Sequence, residues 1–109
     1  MADFFGMEEL AWQPVRPDET RGVFGKTLLA DGVKAVLTRV APGGGFLPHR
    51  DPYGHLFYFM EGRGSVRVGD REHPARPGLV VRVAAGELHS YENTGGDDLL
   101  LLSLNLPGT

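Results

Sequence analysis

Residues 44–62 read GGFLPHRDPYGHLFYFMEG. On an extended backbone successive side chains point to opposite faces. His55, Phe57 and Phe59 therefore share one face, and Leu56, Tyr58 and Met60 share the other. His49 and Asp51 are also two apart and project together, before Pro52 and Gly54 break the strand.

The same rhythm runs outward in both directions. Segments of four to nine residues rich in Val, Leu, Phe and Tyr alternate with turn formers. Strands are expected at 22–30, 33–40, 46–48, 55–60, 65–68, 72–76, 79–84, 89–92 and 99–104. Asp31-Gly32 and Gly69-Asp70 suit two-residue hairpin loops, Glu61–Gly64 and Thr94–Asp97 make longer ones, and Gly43-Gly44-Gly45 reads as a tight turn. Such strands are mostly antiparallel neighbours. Many short strands with one apolar face each must close as a sandwich or barrel, so the class is all-β. Only the first dozen residues depart from this, with a helix expected through 7–12. Residues 1–20 form an N-terminal arm packing on the barrel or on a partner subunit, and 21–107 form a single barrel domain.

A chain of 109 residues holds one core. At this size roughly 65% of the unfolded surface is buried, so folding requires no metal or cross-link. The 16 glycines and 8 prolines stay below the roughly 25–30% share of low-complexity chains. A net charge of −3, with Lys and Arg scattered singly, offers no footprint for nucleic acid. The longest apolar run, LLLLSLNL at 99–106, is too short to span a membrane as a helix. Asp3, Glu8 and Glu9 stand where a secretory leader carries basic residues, and there is no cysteine, so a cytoplasmic address is expected by default.

Three motifs fail on inspection. Gly25-Lys26-Thr27 lacks the glycine that a phosphate-binding loop places at position 20, which is Thr20. The glycines at 43–45 precede a strand and not a helix N-terminus. Ser65 lacks the glycine two positions before it that a nucleophile elbow requires.

The histidines carry more. His49, Asp51 and His55 fall within seven residues, and His89 opens the segment HSYEN with Tyr91 and Asn93 in phase. Three neutral imidazoles and a carboxylate suit a divalent first-row ion and leave positions for water or substrate. By spacing alone, hydrogen-bonded structural histidines are an equal reading.

The interval from Gly43 to Asn93 resembles the paired motifs of the cupin superfamily, G-x5-H-x-H-x3,4-E-x6-G and G-x5-P-x-G-x2-H-x3-N. Gly43, His49, Asp51, His55 and Gly62 match every interval of the first. Gly78, Ala84, Gly86, His89 and Asn93 match every interval of the second. Asp51 replaces the usual second histidine, His55 the usual glutamate and Ala84 the usual proline. The resemblance implies a double-stranded β-helix (jelly-roll, RmlC-like) barrel that binds one divalent Fe, Mn, Ni or Zn ion through His49, Asp51, His55 and His89. It also implies a homodimer, with a small molecule as ligand or substrate. The superfamily includes oxygenases, isomerases and decarboxylases. An oxygenase-type mononuclear enzyme is the first expectation, and a non-catalytic small-ligand binding or sensing barrel is the alternative.

The other residues are assigned by phase. Phe46, Phe57 and Phe59 are candidates for pocket lining as well as core. Tyr91 is the candidate catalytic acid or base, with Glu87, Glu61 or metal-bound water as alternatives. Arg50, Tyr53 and Arg63 flank the motif in loops, and His73 belongs to a surface edge. Leu56, Tyr58, Leu99 and Leu101 are expected on the outside of the barrel, under a partner subunit.

Overall fold

The computed structural model describes residues 2–108. Nine strands make one curled antiparallel sheet: β1 (Gln13–Pro14), β2 (Thr20–Asp31), β3 (Val33–His49), β4 (Gly54–Glu61), β5 (Gly64–Val68), β6 (Arg71–Ala75), β7 (Val80–Val83), β8 (His89–Asn93) and β9 (Leu99–Leu106). Their order is β6-β5-β8-β3-β9-β4-β7, with β2 also paired to β3 and β1 to β2. This is the all-β half-barrel that short, turn-punctuated strands must form to bury one face. Among the described residues no helix is long and apolar enough to cross a membrane.

The expected strands 33–40 and 46–48 prove to be one, and the glycine run between them is a bend inside β3 rather than a hairpin turn. Before the bend, Lys34 to Val40 pair with β9, and after it Gly45, Phe46 and His49 pair with β8. The bend is built on glycine for two reasons. Gly43 has φ +78°, in the left-handed region. A Cβ at Gly44 would lie 2.4 Å from the Arg21 carbonyl oxygen, and one at Gly45 would lie 2.6 Å from that of Tyr91. One strand thus serves both sides of the barrel, and its last residue reaches the mouth.

The helix expected at 7–12 is only a single 3-10 turn, Met7–Glu9, with no buried residue. Without an apolar face to pack, so short a segment has little to hold it helical. The following arm is extended and pairs through Gln13 and Pro14 with Gly25 and Phe24 of β2.

The core contains Val23, Val40, Phe46, Phe57, Phe59, Val66, Ala75, Val83, Tyr91, Leu99 and Leu101. The alternation expected in β4 holds, since His55, Phe57 and Phe59 are buried while Tyr58 and Met60 are exposed. Leu99 and Leu101 correct the expected exterior: both are 0% exposed. Leu101 pairs with Phe59 of β4, and it is Leu100 and Leu102 that are only half-buried. Four consecutive leucines contain no alternation from which the inward phase can be read.

Candidate metal centre

Register brings the donors together. His49 at the end of β3 is the cross-strand neighbour of His89 at the start of β8. Opposed residues on one face of an antiparallel pair lie within side-chain contact, and their ring centroids are 4.2 Å apart. His55, near the start of β4, approaches from the other side, with its ring centroid 4.7 Å from that of His89. Asp51 lies in the loop between β3 and β4, and its carbonyl accepts the Gly86 N–H at 2.8 Å, which ties this loop to the one before β8.

The four side chains converge on one atom. Asp51 Oδ2 lies 3.1 Å from His49 Nε2, 2.9 Å from His55 Nε2 and 3.7 Å from His89 Nε2. Donor atoms of His49, Asp51 and His89 all fall within 4.8 Å of one another. Each imidazole is oriented through its far nitrogen. Nδ1 of His49 faces the Leu47 carbonyl at 2.8 Å, Nδ1 of His89 the Glu87 carbonyl at 2.9 Å, and Nδ1 of His55 the Asn105 Oδ1 at 3.2 Å. Because a carbonyl only accepts, Nδ1 carries the proton in neutral His49 and His89 and Nε2 offers a lone pair, whereas His55 lies between two acceptor oxygens, Asn105 Oδ1 and Asp51 Oδ2. The lone pairs of His49 and His89 then face a carboxylate oxygen, an arrangement that a cation among them would resolve. Among the described residues His89 Nε2 is the buried side-chain atom left without a hydrogen-bond partner. An orphaned acceptor of this kind, oriented from behind, fits a metal ligand.

Electrostatics favour the ligating forms. Burial pushes His55 and His89 below the usual imidazole value, more strongly than Asp51 (for His55) or the Glu87 carbonyl (for His89) raises them. Burial pushes the Asp51 carboxyl up, but hydrogen bonds from Arg16 and His55 and the charges of His49 and Arg16 outweigh it, leaving Asp51 below the ordinary carboxylate value. Both effects have the same consequence for stability. As pH falls, the unfolded chain takes up protons on these two histidines near 6.5, before the folded chain does. Stability of the metal-free chain is therefore fully present above that pH and is lost as pH drops toward the folded values. Asp51 adds a further loss below about 3.8. Urea midpoints of chelator-treated protein are expected to fall steadily from pH 7.5 to 5; a flat profile would contradict the burial of neutral imidazoles.

The donors line a cavity of ≈ 350 Å³. Phe46, Phe57 and Tyr91 line it with aromatic surface, and Thr38, Ser103 and Asn105 of β3 and β9 add polar groups. Phe46 stacks on His49 at 4.1 Å, and Tyr91 meets Phe57 edge-on at 5.5 Å. Phe59, expected as a lining candidate, is 0% exposed and lies in the core rather than among the lining residues. Burial raises the Tyr91 hydroxyl well above its ordinary value. Glu87 is spent on the Ala84 N–H at 2.7 Å, closing the turn where the motif's proline is missing, and neither it nor Glu61 lines the cavity. Tyr53 lines it, whereas Arg50 and Arg63 are exposed and do not. His73 sits exposed on edge strand β6, facing the Pro74 carbonyl. Asn93 is structural: its amide donates to the Val40 and Asp97 carbonyls.

Two residues of the site escape sequence reasoning. Arg16 reaches Asp51 from the N-terminal arm, and Asn105 orients His55 from β9. Neither contact has a local signal, because 35 and 50 residues separate the partners.

Residues 36–105 match the family model described as Cupin domain, which covers most of the sheet and His49, Asp51, His55 and His89. The chain is a cupin. Solved structures give the same fold at low identity. A predicted oxalate decarboxylase from Thermotoga maritima is 22% identical, with TM-score 0.86 over 95% of this chain and 98% of that one. The polyketide cyclase RemF from Streptomyces resistomycificus is 21% identical, with TM-score 0.87 over 96% of this chain and 79% of its own. KdgF from Halomonas sp. is 20% identical, with TM-score 0.82 over 96% and 94%. No curated protein matches the sequence.

Proposed function

We propose that this cupin binds one divalent transition-metal ion through His49, Asp51, His55 and His89 and is a mononuclear metal-dependent enzyme acting on a small molecule. The observation that carries the proposal is the convergence of three imidazole Nε2 atoms on Asp51 Oδ2, with that of His89 otherwise unpartnered. Imidazole with carboxylate suits Fe, Mn, Ni or Zn. A bound ion supplies Lewis-acid polarisation of an oxygen-bearing ligand. The chain's own part is to hold the donors, shape the cavity and exclude water with Phe46, Phe57 and Tyr91. Tyr91 keeps its proton at neutral pH, so it serves as a hydrogen-bond donor rather than a base.

The reaction class follows from what the cavity lacks. Among the described lining residues every imidazole and carboxylate belongs to the donor cluster. Isomerases and decarboxylases that depend on a free imidazole or carboxylate base are thereby disfavoured, and oxygenase-type chemistry is preferred. Similar barrels are described as a decarboxylase and a cyclase, so the fold does not choose. The same lack supports the second reading, a binding or sensing barrel without turnover. A homodimer belongs to the proposal as well, supported by the exposed Tyr58, Met60 and Val80. The test is oxygen consumption by ferrous-loaded protein across a panel of small carboxylates and thiols. Substrate-dependent uptake is expected; ligand binding without uptake would favour the sensing barrel.

A further inference from the structure

We propose that Arg16 is a positioning residue for Asp51, holding the carboxylate in the orientation that turns Oδ2 alone toward the three histidines. The inference rests on the metal reading above and deepens it.

The two carboxylate oxygens have separate partners. Arg16 Nη1 donates to Oδ1 at 3.0 Å, while Oδ2 faces the histidine Nε2 atoms. The terminal torsion of an aspartate is broad, so without a donor on Oδ1 the group is free to swing and present either oxygen, or both. Arg16 is itself fixed. Its Nη2 donates to Glu19 Oε2 at 2.6 Å, and its Cζ lies 5.2 Å from the centre of the Phe46 ring. The backbone of Arg16 has φ +39°, the one left-handed non-glycine residue among those described. Strain of this kind persists where the surroundings over-determine it, and it clusters at functional sites.

The surroundings here do so. The Glu19 N–H donates to the Arg16 carbonyl at 2.8 Å, the Val15 N–H donates to Val23 at 3.0 Å, and the Thr20 hydroxyl donates to the Val15 carbonyl at 2.5 Å. The ion pair with Glu19 is local, three residues away within the arm. The second contact reaches a buried carboxylate 35 residues away, at an oxygen that the histidines do not share.

The test uses the full chain stripped of metal, titrated calorimetrically with Co(II) and Mn(II), together with the visible absorption spectrum of the Co(II) form. Arg16→Gly is the informative variant, because glycine adopts φ +39° freely, so the side chain is lost without adding backbone strain. Loss of such an outer partner is expected to weaken metal binding about 10–100-fold and to shift the Co(II) bands as Asp51 reorients. Arg16→Lys, which restores charge without the planar fork, is expected to recover part of both. A role confined to tethering the arm would lower thermal stability and leave the Co(II) bands in place. Affinities within about twofold of wild type with unchanged bands, in Arg16→Gly or, should that variant not fold, in Arg16→Lys, would overturn this inference alone. A wild-type chain that binds neither ion would overturn the metal reading and this one with it.

Discussion

Replacing Asp51 by Asn is expected to abolish metal-dependent stabilisation while leaving a folded chain. In the wild type a carboxylate oxygen sits among three imidazole Nε2 atoms, a donor set that a bound cation would hold together. An amide removes the negative charge that draws the ion. It can also turn its NH₂ inward and donate to the Nε2 atoms, filling the same role without metal. Affinity should fall further than the roughly 10–100-fold that follows loss of an outer partner. The readout is thermal. At a metal concentration 100 times Kd the wild type gains about 2.7 kcal/mol, which for a domain near this size raises Tm by roughly 10–20 °C. Asp51→Asn at the same concentration should show almost none of that rise; a variant that keeps it would remove Asp51 from the ligand set.

The second large effect is on the fold. Phe59→Ala is expected to lower stability by about 3–5 kcal/mol, the usual range for emptying a fully buried aromatic position. Phe59 is 0% exposed, pairs with Leu101 and meets the Tyr91 ring edge-on at 6.4 Å. The cavity left behind lies under the aromatic lining of the site, so metal-free protein should lose Tm by tens of degrees or fail to fold at 37 °C. Tyr58→Ala, one position along on the exposed face, serves as the control and, compared at a protein concentration low enough to keep the chain monomeric, should cost about 1 kcal/mol or less. Equal losses from the two variants in chemical denaturation would contradict the inward phase of β4.

Much of this architecture is legible in the sequence because it depends on local alternation. His55 to Met60 declares its two faces residue by residue, and the intervals from Gly43 to Asn93 match the cupin motifs, a resemblance that implies a shared site for the donors. What escapes does so for identifiable reasons. The leucines at 99–102 lack alternation, so their phase depends on β9 lying between β3 and β4. The glycines at 43–45 look like a tight turn between two strands, yet their freedom is used to bend one strand around the barrel. The 7–12 segment has helix-forming residues but no face to bury. Asn105 owes its place to the register of β4 against β9, and Arg16 to the loop between β1 and β2 folding onto the one between β3 and β4, properties of the folded sheet and not of any window of sequence.

The most direct test of the central claim is the metal content of protein purified without chelators, measured by elemental analysis beside the His49→Ala variant. Close to one divalent first-row ion per wild-type chain, falling to background in the variant, is the predicted result. A wild-type chain that carries no metal and takes up none from manganese, nickel, zinc or ferrous salts would contradict it.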